Sequence, residues 1–125
     1  MSSKIVIVGN SGVGKTAFVR HLMGARPESE YRSTQNFAVW HLNSEVMLWD
    51  VSNAITEGCF MDTTRAVIIV NSMKDVDSIA EYEDKIKKTC CNVPFNVLIN
   101  TYSASDNVES IYTEIRRKGY QVNYW

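Results

Sequence analysis

The segment Gly9-Asn-Ser-Gly-Val-Gly-Lys15-Thr16 constrains this chain more than any other feature. It follows the continuous apolar run Ile5-Val-Ile-Val8, the mark of a strand buried on both faces, and a helix is expected from about Lys15. Phe18 with Leu22 and Val19 with Met23 give that helix an apolar face, and Gly24 suits its C-terminal end. A strand, a glycine-rich turn and a helix in this order make an anion cradle. Glycines at 9, 12 and 14 let successive N–H groups turn inward, and the helix adds the positive end of its dipole. Lys15 would set a cation against the β- and γ-phosphates of a nucleotide, and the Thr16 hydroxyl would ligate magnesium. The residues expected around the phosphates are Asn10, Ser11, Gly12, Val13, Gly14, Lys15, Thr16 and Ala17.

The rest of the chain fits the α/β class. Residues 25 to 34 are polar, carry Pro27 and read as a loop. Gln35 to Leu42 and Glu45 to Asp50 read as a β-hairpin around Asn43-Ser44. Residues 51 to 65 read as irregular with one short helix, and Ala66-Val-Ile-Ile-Val70 as a second buried strand. Ile79, Tyr82 and Ile86 recur at helical spacing within 76 to 89, and Phe95 to Ile99 form a third buried strand after Pro94. Val108, Ile111, Tyr112 and Ile115 give the clearest amphipathic helix, stopped by Gly119, and Tyr120 to Tyr124 suit a final edge strand. Strands alternating with helices imply a mainly parallel sheet with helices on both faces. The 125 residues suit one domain, 1–125.

Composition narrows the function. A net charge of −1 with both signs interspersed argues against nucleic acid as the main partner. Three cysteines, two of them adjacent (Cys59, Cys90, Cys91), suit neither a disulfide framework nor a four-ligand zinc site and point to reduced thiols. His21 and His41 occur singly, one on a helix and one on a strand, so metal ligation is not expected of them. No run approaches the roughly 18 apolar residues of a membrane span. No C-terminal cysteine offers a lipid anchor. A cytoplasmic protein is expected.

Lys4-Ile-Val-Ile-Val-Gly-Asn-Ser-Gly-Val-Gly-Lys-Thr16 resembles the opening of Ras-superfamily small GTPases, Rab proteins in particular, and the resemblance runs through most of the chain. It implies a P-loop NTPase fold, with a β-hairpin beside parallel strands. It also implies a GTP/GDP-dependent, magnesium-dependent switch of the kind that signals in vesicle trafficking. In the family a threonine eighteen residues past the P-loop hydroxyl binds magnesium and the γ-phosphate; here that spacing lands on Thr34. Leu48-Trp-Asp50 resembles the second switch, which makes Asp50 the magnesium-orienting acid, and Asn100 resembles the first residue of the base-reading motif.

The departures are as informative. The family's Asp-x-x-Gly reads Asp50-Val-Ser-Asn53, and the following position, where the family carries the glutamine that orients the attacking water, is Ala54. The base-reading Asn-Lys-x-Asp reads Asn100-Thr-Tyr-Ser103, and the first-switch aromatic aligns near Pro27. Losing the aspartate's paired bonds to guanine should cost on the order of 2–3 kcal/mol. Slow hydrolysis and relaxed base selectivity are therefore expected. The chain ends at Trp125, before the family's Ser-Ala-Lys loop and last helix. Another group is expected to cover the sheet face near the Val108–Ile115 helix: a twin subunit, a partner, or Tyr120, Tyr124 and Trp125 folding back. Trp40 and Trp49 on facing hairpin strands suit either packing or effector recognition.

Three readings follow. The first is a slow GTPase-like switch that recruits effectors when loaded. The second is a catalytically inactive Rab-like decoy that binds nucleotide. The third, a P-loop kinase, lacks an arginine-bearing lid.

Overall fold

The computed structural model describes residues 3–10, 12–24, 30–32, 37–51, 60–90 and 92–125. β1 (Ser3–Val8) runs down the centre of the sheet because its residues are apolar on both faces. Around it stand β2 (Glu30–Arg32), β3 (Phe37–His41), β4 (Val46–Val51), β5 (Arg65–Val70), β6 (Phe95–Ile99) and β7 (Val122–Tyr124). They form one seven-stranded sheet in the order β2-β3-β4-β1-β5-β6-β7. β4, β1, β5, β6 and β7 are mutually parallel, while β2 and β3 are antiparallel additions at one edge. The β3–β4 turn is closed by the Asn43 side chain, whose Oδ1 accepts from the Glu45 and Val46 N–H groups at 2.8 and 2.9 Å.

Among the described residues the helices are α1 (Lys15–Met23), α2 (Met73–Val76), α3 (Ile79–Thr89) and α4 (Val108–Arg117), and most of the 51–65 stretch, where one short helix is expected, lies outside those residues. Strand pleating sends alternate residues to two cores. Ile7, Leu48, Ile69 and Trp40 pack with Phe18, Val19 and Met23 of α1. Val6, Val8, Ile68, Val97 and Ile99 pack with Ile79, Tyr82 and Ile86 of α3 and Ile111 and Ile115 of α4.

Two expectations change, and one short helix is added. Residues 30–32, read as loop, form a strand, because antiparallel pairing with β3 needs only backbone groups and not an apolar pattern. The helix expected within 76–89 is α3, and a four-residue helix the pattern did not announce, α2, precedes it from Met73, where the Ser72 side chain caps it. Ile111 and Ile115 are fully buried, so the α4 face is covered by its own sheet. The less covered face is the α1 side, where Ile5, Val67 and Leu98 are only partly buried.

The three terminal aromatics divide between the two sides. Trp125 packs edge-on against Phe18 at 5.0 Å, whereas Tyr124 stacks on Tyr112 at 5.1 Å and Tyr120 lies by Phe95 at 5.7 Å. Trp40 and Trp49 also part company. The register pairs Trp49 with Val39 and Trp40 with Leu48, which places the indoles on opposite faces. Trp40 sits in the α1 core, while Trp49 stacks on Phe37 at 4.9 Å with the Lys4 ammonium 3.7 Å above its ring. They form no joint patch.

Candidate functional site

The glycine-rich loop leaves the C-terminal end of β1 and enters α1 under steric constraint. A Cβ on Gly9 would lie 2.6 Å from the Ile69 carbonyl oxygen and 2.7 Å from Val13 Cγ2. Gly14, at φ +100°, sits where a Cβ would collide with Asn100 Nδ2. The loop is thus pressed against the ends of β5 and β6. Gly14 also occupies the N-cap of α1, with no side-chain cap and no acidic residue in the first turn. The helix therefore presents uncapped N–H groups and its positive dipole end to whatever enters.

Lys15 Nζ folds over the loop and donates to the Gly9 and Asn10 carbonyls at 3.0 and 3.3 Å. Burial pushes its pKa below the usual lysine value, while the charges of Asp50 and Asp75 oppose the shift. Beside it, Thr16 Oγ1 donates to Asp50 Oδ2 at 2.7 Å. Parallel pairing of β1 with β4, which sets Ile7 opposite Asp50, brings the acid to the mouth of the loop. Val13 is buried, and Gly12 and Ala17 are exposed around it. Ser11, Pro27, Thr34, Asn53, Ala54, Cys59 and Cys91 lie outside the described residues.

Asn100 is almost fully buried, and both ends of its amide are engaged. Nδ2 donates to the Val13 carbonyl at 2.9 Å, and Oδ1 accepts from Tyr102 N–H at 3.0 Å. It props up the phosphate loop. Ser103 Oγ accepts from Asn71 Nδ2 at 3.2 Å, and Thr101 donates both its N–H and its hydroxyl to the Trp125 carbonyl at 2.8 Å.

Sequence reasoning missed the polar groups that hold the loop from behind. Asn10 Nδ2 donates to Asp75 Oδ1 at 2.7 Å and to Ser78 Oγ at 2.9 Å, and Asn10 Oδ1 accepts from the Tyr82 hydroxyl at 3.0 Å. One available signal was the Ser72-x-x-Asp75 spacing, a variant of the capping box that places an acid at the start of a helix. Among the described residues no group of three or more His, Cys, Asp or Glu gathers in a metal-binding cluster. A cation here would be held by hydroxyl and carboxylate oxygens, the donor set of a hard ion such as magnesium.

The family model of the Ras of Complex, Roc, domain of DAPkinase matches residues 4–103. Two curated relatives, the Ras-related protein Rab-34 of Rattus norvegicus and that of Mus musculus, are each 28% identical over 112 residues. Those matches take in 78% of this chain and 42% of each relative, so the chain spans less than half of their length.

Proposed function

This chain belongs to the Roc, or Ras of Complex, family of Ras-superfamily GTPase domains, and from that premise we propose that it is a minimal guanine-nucleotide switch that hydrolyses GTP slowly. The observation that carries this reading is the 2.7 Å contact between Thr16 and Asp50, set beside Lys15 and the uncapped start of α1. Thr16, Asp50 and Thr34 would hold Mg²⁺, which when bound screens the charge of the phosphates. The backbone N–H groups of residues 10–17 would wrap the phosphates, with Lys15 exchanging its two loop carbonyls for phosphate oxygens. Slow turnover rests on Asn53, which stands where the family has the glycine whose N–H meets the γ-phosphate, and on Ala54, which has no side-chain amide to orient water.

A second reading is a nucleotide-bound decoy with relaxed base selectivity. It draws support from Ser103, whose hydroxyl is already bonded to Asn71. In either reading the switch and interswitch surfaces meet an effector or regulator protein, the α1-side sheet face meets a partner or a second copy, and the protein works in the cytoplasm. No helix among the described residues is long and apolar enough to cross a membrane.

The deciding experiment releases nucleotide from the purified protein and identifies it by chromatography. GDP or GTP in near-equal molar amount is expected. Protein that carries none, and that takes up neither GTP nor GDP with magnesium, overturns the proposal.

A further inference from the structure

The phosphate loop is fastened from behind by groups to which the nucleotide-binding reading gives no part. Asn10, the second residue of the loop, has both ends of its amide engaged by Asp75, Ser78 and Tyr82. Asp75, buried to 6% exposure, uses its other oxygen to accept from Asn71 N–H at 2.9 Å and from the Ser72 hydroxyl at 3.1 Å. Asn71 in turn donates through Nδ2 to the Gly12 carbonyl at 3.3 Å. Two points of the loop, residues 10 and 12, therefore hang on the segment 71–82. An ionised carboxylate only accepts, so Asp75 dictates which way the Asn10 amide faces. Asn10 also lends its carbonyl to Lys15, so the clamped residue supports the cation at the mouth of the site.

We infer that Asn10, Asp75 and Tyr82 are positioning residues that hold the phosphate loop in its anion-accepting shape, and that their integrity sets how fast nucleotide leaves. The inference rests on the nucleotide-binding reading above. A loop ordered in advance spares a ligand the cost of ordering it, and the gain appears mainly in the dissociation rate.

An exchange of the two side chains tests this. Asn10→Asp sets two carboxylates at the distance of the present 2.7 Å bond. They repel unless they share a proton, so one pKa rises. The other charged or titratable groups nearby are Lys15 with Asp50 beside it, Tyr82 with Glu81, Lys74 and Asp77 next to Asp75 in the chain, and Asp106, which accepts from Met73 N–H. The clamp survives while the pair holds its proton and fails as pH rises through that raised pKa. Asn10→Asp should therefore release a fluorescent GDP analogue about tenfold faster than wild type near pH 8, and the gap should narrow towards pH 5.5.

The double variant Asn10→Asp/Asp75→Asn rebuilds every bond. The amide at position 75 donates to the carboxylate at position 10, its carbonyl keeps the Asn71 and Ser72 donors, and the Ser78 hydroxyl turns to donate. Dissociation within about threefold of wild type and a flat pH profile are expected. Tyr82→Phe, which keeps the ring and loses only the hydroxyl, should speed release about two- to fivefold.

Wild-type protein that binds no nucleotide overturns the functional reading itself. Wild type that binds, alongside an Asn10→Asp variant with unchanged release near pH 8 or a double variant no slower than Asn10→Asp, overturns the clamp alone. Should Asn10→Asp fail to fold, unchanged release from Tyr82→Phe overturns it.

Discussion

At the scale of single residues, the cation and the base-facing positions make separable predictions. Lys15→Ala should abolish nucleotide binding, because no other ammonium is folded over the loop among the described residues; calorimetry with GTP and GDP checks this. Thr101→Lys with Ser103→Asp should raise the preference for GTP over ATP at least about tenfold, the worth of a restored charge-assisted pair. Competition binding of the two nucleotides measures it. Tyr82 carries a pH signature of its own. Burial, with the charges of Glu81 and Asp75, pushes its phenol up to about 12. The folded chain therefore keeps a proton that the unfolded chain loses above pH ~10. That stabilisation is fully present below pH ~10 and disappears as pH rises through about 12. Thermal unfolding between those values should fall more steeply in wild type than in Tyr82→Phe.

At the scale of elements, the helices differ in what holds them. α4 has an Asn107 cap whose Oδ1 accepts from Ser110 N–H at 3.1 Å, and a buried face made of Ile111 and Ile115. Asn107→Ala should cost about 1 kcal/mol and Ile111→Ala about 3 kcal/mol, both read from denaturant midpoints. α1 is built differently. Its N-terminus has no side-chain cap, so its position depends on Phe18, Val19 and Met23 against the sheet and on Gly14 pressed against Asn100. A helix held only by its face leaves its N–H groups free for an anion. That is the physical link between how α1 is stabilised and what its start can bind.

At the scale of the whole molecule, the two faces of the sheet are unequally covered. α3 and α4 close one side, while α1 with Trp125 leaves Ile5, Val67 and Leu98 partly exposed on the other. Apolar surface of this kind favours association. Light scattering across micromolar concentrations should show a dimer, and Trp125→Ala should increase binding of a hydrophobic dye by uncovering Phe18. A strict monomer with little dye binding would count against self-association.

Much of the fold was legible in consecutive residues. The apolar run Ile5–Val8, the glycines that follow it and the periodicity of α1 and α4 are local properties, because glycine's freedom and the spacing of apolar side chains act within one or two turns of chain. The Asn43 turn and the placing of Lys15 at the start of α1 belong to the same class. What the sequence alone left open depends on pairing across the sheet. A three-residue strand at 30–32 exists because β3 offers it a backbone edge, and the pleat sends Trp40 and Trp49 to opposite faces. Asn10 meets Asp75 and Tyr82 across separations of 65 and 72 residues, and Trp125 reaches Phe18 only because β7 runs parallel to β6. Local chemistry determined that the loop can receive phosphates; only the topology decided which side chains stand behind it, because contacts between distant residues are set by strand order and register.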